Sequence, residues 1–349
     1  MPHPQTNNST AFSFESLFLS DENSVMMLVP LVQACFAITP NKQMLLLEEQ
    51  PIINIGGECW SEDAAKSSFK YEPQIAFQKQ ATDIILIGHA YPQNKGDTEV
   101  SVGLRVGPVQ KIVRVIGDRY LFRKSGEVSI TAPQPFEKIP LTYEQAFGGW
   151  DLRDPKPDKF RFETRNPVGT GYLDPMANSD AQVKLPNLED PDHPYRSYGD
   201  TPPPAGFGFI SPNWQPRASY AGTYDEAWDK ERKPLLPKDF DRRFFNAASS
   251  SLIAPGYLKG DEPVVIINAS PEGRVTFNLP GVPAPQCKVQ LRGGATVTLQ
   301  TQLDTVIINM DERLLFLIWR SYTPVRNGPH DVVSIDIWSE GGPSVQAVI

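Results

Sequence analysis

Proline most constrains what this chain can fold into. The 349 residues contain 34 prolines, about twice the usual frequency of roughly 5%. They crowd the middle of the sequence, for example at 202–204. Each proline removes a backbone N–H donor and disfavours helix in the residue before it. We therefore expect no long helices in the middle, which separates an N-terminal from a C-terminal part.

The N-terminal part has the patterns of β-strands. Residues 25–38 and 83–90 are apolar runs that predict buried strands, the first run forming one or two of them. Residues 100–106 and 109–116 alternate apolar with polar or small side chains, which is the period of a half-buried strand. Gly117 and Asp118 predict a tight hairpin turn, and Gly126 predicts another, because glycine accepts a positive φ without steric cost.

The C-terminal part has the same character. Its predicted strands are 264–268, 274–279, 287–291, 296–300, 305–309, 314–320 and 332–338. Residues 314–319 are apolar throughout, as in a strand covered on both faces. Regular short strands with glycine turns predict a mainly β fold. We expect a β-sandwich or barrel-like sheets built from the N- and C-terminal parts.

Four regions follow along the chain, packed as one or two domains. They are a polar N-terminal tail (1–24), an N-terminal β region (25–139), a central segment rich in proline and aromatic residues (140–260), and a C-terminal β region (261–349). In the centre, Thr223 and Glu226 have the spacing of a capping box, which predicts a helix over 224–232. A second helix is predicted over 237–245, with a proline in its first turn.

The central segment is predicted to be ordered and extended, because a disordered linker would lack its aromatic side chains. They are Trp150, Tyr172, Phe207, Trp214, Tyr220, Trp228, Phe240, Phe244 and Phe245. We expect these side chains to anchor the segment to the β-structure.

Composition excludes several classes of function. The net charge is −8 and no Lys/Arg-rich run is present, so nucleic-acid binding is not expected.

The three cysteines are scattered and odd in number, which is typical of a reducing compartment. The first 22 residues lack the pattern of a signal peptide, and run 25–38 is too short to span a membrane. We expect a cytosolic protein that binds no membrane.

No motif for catalysis, cofactor binding or metal binding is present. The four histidines do not have the spacing of a metalloprotease helix, and neither a nucleophile elbow nor a phosphate-binding loop occurs. The adjacent acids Asp225 and Glu226 fit the first turn of a helix, where carboxylates interact favourably with the dipole. We therefore expect a protein that is not an enzyme and carries no cofactor.

Tryptophan, tyrosine and arginine are concentrated in residues 214–232. These side chains either pack the core or form an interaction surface, since the same three types dominate interface hot spots. The candidate partner-binding residues are Trp150, Trp214, Arg217, Tyr220, Tyr224, Trp228 and Arg232.

An ordered series of motifs resembles a known family. The series comprises PLTYEQAFGG (140–149), NPVGTGY (166–172), LPNLEDP (185–191), PAGFGFISPNWQPR (204–217), YAGTYDEAW (220–228) and PLLPKDFDRRFF (234–245). Segments 82–90, 115–119 and 259–263 also fit. The family is that of type VI secretion accessory proteins encoded beside spike and effector genes. One departure is the run NAASSS (246–251), which replaces the family's usual continuation.

The resemblance implies a non-catalytic adaptor or chaperone. Such proteins hold a cognate toxic effector in the cytoplasm and help to load it onto the VgrG spike, often when the effector carries a PAAR tip domain. The family contributes no catalytic residues. Two alternatives remain open: a carbohydrate-active or other hydrolase with paired carboxylates and stacking aromatics near Trp214 or Trp228, and a structural subunit of a phage-like assembly.

Overall fold

The structure is a computed structural model that describes residues 4–124, 126–174, 182–326 and 328–340. It is mainly β. The α-helix found in these ranges is α1 (Glu226–Glu231). Isolated 3-10 turns lie at Ala64–Lys66, Tyr143–Gln145, Pro157–Lys159, Arg217–Tyr220, Arg242–Phe245, Ser250–Leu252 and Pro329–Asp331.

The strands of the described residues, in chain order, are β1 (Gln5–Asn8), β2 (Ser13–Ser20), β3 (Met26–Ile38), β4 (Met44–Leu46), β5 (Glu58–Cys59), β6 (Phe69–Tyr71), β7 (Asp83–Ile87), β8 (His89–Ala90), β9 (Glu99–Val106), β10 (Val109–Ile116), β11 (Tyr120–Lys124), β12 (Glu127–Ile130), β13 (Ile139–Pro140), β14 (Phe147–Gly148), β15 (Trp150–Asp151), β16 (Arg161–Phe162), β17 (Thr170–Gly171), β18 (Val183–Lys184), β19 (Leu188–Glu189), β20 (Pro263–Ile267), β21 (Arg274–Asn278), β22 (Gln286–Leu291), β23 (Thr296–Gln300), β24 (Gln302–Asn309), β25 (Leu314–Arg320), β26 (Thr323–Pro324) and β27 (Val332–Trp338).

A seven-stranded sheet forms the centre of the molecule and joins the two ends of the chain. Its main path is β2-β3-β25-β24-β7, and β4 and β26 also pair with β3. β3 and β25 are antiparallel, whereas β24 and β7 are parallel. β25 is buried at every position after its first, as its apolar run 314–319 predicts, and the buried positions include Arg320.

Two further sheets pack against this one. The path of the first is β19-β10-β9-β20-β21, and that of the second is β1-β27-β22-β23. Side chains from all three sheets, such as Leu31, Val102 and Ile335, belong to one buried apolar cluster. The described sheets do not close into a barrel.

The central segment covers the other face of the seven-stranded sheet. Successive side chains of a strand point to opposite faces. Leu28 of β3 joins the main core, whereas Met27 and Val29 pack in a second cluster with Phe240 and Phe245. The prediction that aromatic side chains anchor this segment is confirmed for these two phenylalanines.

Most predicted strands are confirmed with small shifts at their ends. Residues 25–38 form the single strand β3, residues 83–90 are divided between β7 and β8, and all seven C-terminal strands are present. The turn at Gly126 connects β11 and β12, which pair with each other.

Three local predictions are wrong. β10 and β11, which flank Gly117 and Asp118, do not pair with each other, because β10 lies between β9 and β19. The tight hairpin is instead at Gly107, where Val106 of β9 pairs with Val109 of β10 and φ is +53°. The predicted capping box does not form, since the helix begins two residues later than expected and Asp225 is its N-cap.

The second predicted helix, over 237–245, does not form as an α-helix. Only Arg242–Phe245 is helical there, as a 3-10 turn that Asp241 caps by accepting a hydrogen bond from the backbone N–H of Arg243. Phe240 and Phe245 turn toward the β-sheet, and their burial determines the course of this segment in place of helix propensity.

Candidate functional site

A groove of about 440 Å³ opens on the central segment. One wall comes from residues 203–220 and the other from residues 243–253, with Gln80, Ala81, Tyr143 and Arg165 completing the lining. The apolar lining consists largely of Pro203, Pro204, Ile210, Pro216, Ala248 and Ile253. A mostly apolar concavity of this size with a few convergent polar groups is the usual form of a binding site.

Tyr143 lies at the base of this groove. Its side chain is 1% exposed, and its ring meets Trp214 edge-on with 5.6 Å between the centroids. A Cβ atom at Gly206 would lie 2.8 Å from the ring, so glycine is needed for this close approach. Its hydroxyl has no hydrogen-bond partner among the described residues, and burial raises the pKa of Tyr143. It therefore stays protonated and can bond to a ligand.

The turn that carries Tyr143 is fixed by a second motif. The side-chain amide of Asn166 donates hydrogen bonds to the carbonyl oxygens of Tyr143 at 2.8 Å and Phe147 at 3.0 Å. β14 pairs in parallel with β17, which follows Asn166. The motifs at 140–149 and 166–172 thus form one structural unit beneath the groove.

Arg217 supports the groove from inside. It is 6% exposed and donates from Nε to the Phe244 carbonyl at 2.7 Å and from Nη1 to the Ile210 carbonyl at 2.8 Å. It also forms an ion pair with the buried Glu72. Burial raises the pKa of Glu72, and the nearby Arg217 opposes that rise. The guanidinium therefore connects both walls to the segment that follows β6.

Arg165 and Arg243 lie at the border of the groove, each beside its own carboxylate. Arg165 donates to Glu163 at 2.8 and 2.7 Å, and Arg243 donates to Asp241 at 2.9 and 2.6 Å. The Arg243 guanidinium also lies over the Tyr220 ring, 4.4 Å from its centroid. Paired contacts of this kind hold a guanidinium in one orientation.

Ser249 brings a lysine close to the groove. The Nζ of Lys111, on β10, donates to the Ser249 hydroxyl at 2.8 Å. Burial lowers the pKa of Lys111 to about 8. No carboxylate of the described residues forms an ion pair with this amine.

The candidate residues from the sequence are placed in three locations. Arg217 and Tyr220 line the groove, and Trp214 lies behind it, 2% exposed, against Tyr143. The observed contacts of Trp214 and Arg217 are therefore internal packing contacts.

The other four candidate residues lie away from the groove lining. Trp228 lies within α1, with Tyr224 just before the helix and Arg232 at its C-cap. Trp228 Nε1 donates to the Leu235 carbonyl at 2.9 Å. Trp150 is half exposed and stacks on Phe162, with 4.4 Å between the ring centroids.

Two of the carboxylates near Trp228 have structural partners. The shallow cleft beside this tryptophan is lined by Asp225, Glu231 and Asp239. Asp225 caps α1, and Asp239 accepts hydrogen bonds from the backbone N–H and hydroxyl of Thr223 at 3.0 and 2.7 Å. Among the described residues, no group of three or more His, Cys, Asp or Glu side chains has metal-binding geometry.

The candidate residues from the sequence did not include Tyr143, Arg165 and Arg243, which line the groove. Tyr143 and Arg243 lie inside motifs that carry the resemblance, and Arg165 directly precedes a third. Their position in or beside the motifs that resemble a family was the sequence feature that could have indicated them. Only the tertiary structure shows which of their side chains face the groove.

A family model described as "Uncharacterized protein conserved in bacteria (DUF2169)" matches residues 23–320. The chain belongs to this family. No curated protein and no solved structure matches the chain.

The DUF2169 match includes every residue that lines the groove, as well as α1 and the Trp150–Phe162 pair. The groove is therefore a feature of the family region and not of the ends of the chain. Within the ranges that the structure describes, no helix is both long and apolar enough to cross a bilayer.

Proposed function

We propose that this DUF2169 protein is a non-catalytic adaptor of type VI secretion in the bacterial cytoplasm. It binds a cognate effector, including effectors with a PAAR domain, and promotes loading of that effector onto the VgrG spike. The motif series from Pro140 to Phe245 supports the secretion context, because it resembles accessory proteins encoded beside spike and effector genes.

The convergence of those motifs on one groove carries the proposal. Tyr143, Ile210, Tyr220 and Arg243 come from four separate motifs and line the same concavity. Apolar walls can bury the side chains of an extended partner segment, and the unpaired Tyr143 hydroxyl can bond to its backbone. A groove of this size buries only a short part of the partner's surface. The affinity is therefore limited, and the cargo can be released to the spike.

The adaptor role also suits the framework beneath the groove. Tyr143, Arg217 and Asn166 are all buried and hydrogen-bonded or packed against the sheets. Such a preorganised site loses little conformational entropy when a partner binds. The β-framework would therefore keep the groove open before the cargo arrives.

Co-purification tests the proposal. The tagged protein is expected to retain the effector encoded beside its gene, and that complex to retain VgrG. Ile253→Glu places a charge on the groove wall and should abolish retention of the effector, whereas Val333→Glu, at an exposed position of β27, should not. Thermal unfolding of both variants checks that they remain folded.

If the wild-type protein retains neither the effector nor VgrG when all three are produced together, the adaptor function is wrong. If retention is unchanged by Ile253→Glu in a folded protein, the effector binds elsewhere on the surface.

A further inference from the structure

The groove differs in charge from the chain as a whole. The sequence has 41 acidic and 33 basic residues, a net charge of −8. Yet the groove lining contains Arg165, Arg217 and Arg243 and no aspartate or glutamate. The carboxylates that pair with these arginines, Glu163, Glu72 and Asp241, are not part of the lining.

Two of these arginines keep donors for a ligand. Arg165 and Arg243 each use Nε and Nη2 on their own carboxylates, and Arg165 Nη2 also lies within hydrogen-bond distance of the carbonyl oxygens of Thr201 and Pro202. No hydrogen bond of the described residues uses Nη1 of either side chain. Arg243 is also 59% exposed at its side chain. A guanidinium has five N–H donors, so one carboxylate does not exhaust it.

The remaining polar groups of the groove add donors too. The Ser249 oxygen accepts a hydrogen bond from Lys111 and lies 3.3 Å from the Ser251 hydroxyl oxygen, and either serine can donate in that contact. Tyr143 contributes an unpaired hydroxyl that stays protonated because its pKa is raised. A ligand that satisfies these groups must be rich in hydrogen-bond acceptors.

We infer that the groove selects a partner segment in which an aspartate or glutamate lies beside apolar residues. The inference rests on the proposed function and specifies its recognition chemistry. The carboxylate is held by Arg243 and Arg165, while the neighbouring apolar side chains pack against Pro204, Ile210 and Ile253. Guanidinium–carboxylate contacts of this type are short and directional.

The same arrangement excludes other ligands. A basic segment would place its charge beside the arginines, which costs binding energy and gives specificity against such partners. A small inorganic anion would leave the proline and isoleucine walls uncovered. An apolar segment without a carboxylate would cover the Nη1 donors without offering them an acceptor.

A peptide array provides the test. Overlapping 15-residue peptides that cover the effector and VgrG encoded beside the gene are probed with the full-length protein. Peptides that bind are expected to contain Asp or Glu next to aliphatic or aromatic residues. Replacing that acid by its amide should weaken binding about tenfold or more, in line with loss of a charge-assisted contact.

Charge reversal at one position then assigns the contact. Arg243→Glu should lose the acidic peptide and gain affinity for the same peptide with lysine in place of the acid. Arg274→Glu, at an exposed position of β21, is the matched control and should change neither affinity. Arg243 is largely exposed, so its replacement should leave the fold intact, and circular dichroism checks this.

The outcomes separate the inference from the proposed function. Binding peptides that lack acids, or an acidic peptide unaffected by Arg243→Glu, overturn the inference. So does a protein that co-purifies with the effector but binds no peptide, although the adaptor function then stands. Failure of both co-purification and peptide binding overturns the inference and the function together.

Discussion

At the scale of single residues, buried charges determine how the groove is held. The sequence marks Arg217 as a candidate partner-binding residue. In the structure it forms a buried ion pair with Glu72 beneath the groove wall, so its observed role is structural. Lys111 is a charge near the same wall without a carboxylate partner among the described residues. The two side chains should respond differently to substitution.

Arg217→Gln should destabilise the protein by about 3–5 kcal/mol, because Glu72 would be left buried without its partner. Urea unfolding measures the loss. Adding Glu72→Gln to the same chain should recover part of it. Lys230→Gln breaks the exposed pair with Glu226 and is expected to cause no measurable change. An equal effect of both single variants would contradict a buried structural role for Arg217.

Lys111 should give stability a dependence on alkaline pH. Burial lowers its pKa from 10.5 to about 8, so between these values the unfolded chain holds a proton that the folded chain has lost. The free energy of unfolding that Lys111 contributes therefore rises as pH increases from about 8 to 10.5.

Unfolding of wild type and Lys111→Met across this pH range checks the sign of that effect. The stability of wild type relative to Lys111→Met should improve as the pH rises. Lys288→Met, at an exposed position of β22, serves as the control and should give a constant difference. A constant difference for Lys111→Met would show that this amine is not buried in solution.

At the scale of elements, close backbone approaches matter more than helix or strand propensity. The glycines of the motif at 140–149 allow β14 and β17 to lie side by side. A Cβ atom at Gly149, where φ is +93°, would lie 2.3 Å from the carbonyl oxygen of Gly169. This contact could not be read from the sequence, since β15 and β16 lie between the two segments along the chain.

Gly149→Ala should therefore lower the free energy of unfolding by about 3 kcal/mol or more, from overlap and backbone strain together. Gly96→Ala isolates the strain, because Gly96 has a similar φ of +97° and a Cβ atom there would meet nothing within 4 Å. It should cost about 1 kcal/mol. Urea unfolding of both variants tests the difference, and equal costs would refute the close approach.

The start of α1 gives a second test at this scale. Asp225 accepts a hydrogen bond from the Trp228 N–H at 2.8 Å, whereas Glu226 pairs with Lys230. Asp225→Ala should speed hydrogen exchange at the Trp228 amide about fivefold, equivalent to a cap of roughly 1 kcal/mol. Glu226→Ala should have little effect. The reverse order would restore the capping box that the sequence predicts.

At the scale of the whole molecule, the two ends of the chain depend on each other. β3 pairs with β25, and β7 pairs with β24, so the seven-stranded sheet needs strands from both ends. Aromatic residues of the central segment cover one face of the same sheet. All three parts of the chain therefore contribute to one framework.

A fragment of residues 1–260 should not fold alone, because β3 and β7 would lose their neighbours in the sheet. We expect no cooperative thermal transition by circular dichroism. Co-expression with residues 261–349 should restore a folded complex. A fragment that melts cooperatively by itself would show that the N-terminal strands have another arrangement.

The sequence by itself determined the strand content, the absence of long helices from the described centre and the segments that mark the family. These depend on local chemistry: alternation of apolar residues, glycine at turns and proline without a backbone donor. Predictions failed at Gly117 and at Thr223, where strand partners and a competing hydrogen bond to Asp239 decided the outcome.

Only the tertiary structure decided where the proline-rich centre forms a groove. Burial removed Trp214 and Arg217 from the surface, and folding brought Tyr143, Arg165 and Arg243 together around one groove. The physical reason is that a side chain's exposure and charge environment depend on contacts between residues far apart in sequence. The prolines determine that this segment is extended, and the sheet beneath it determines which of its side chains face outward.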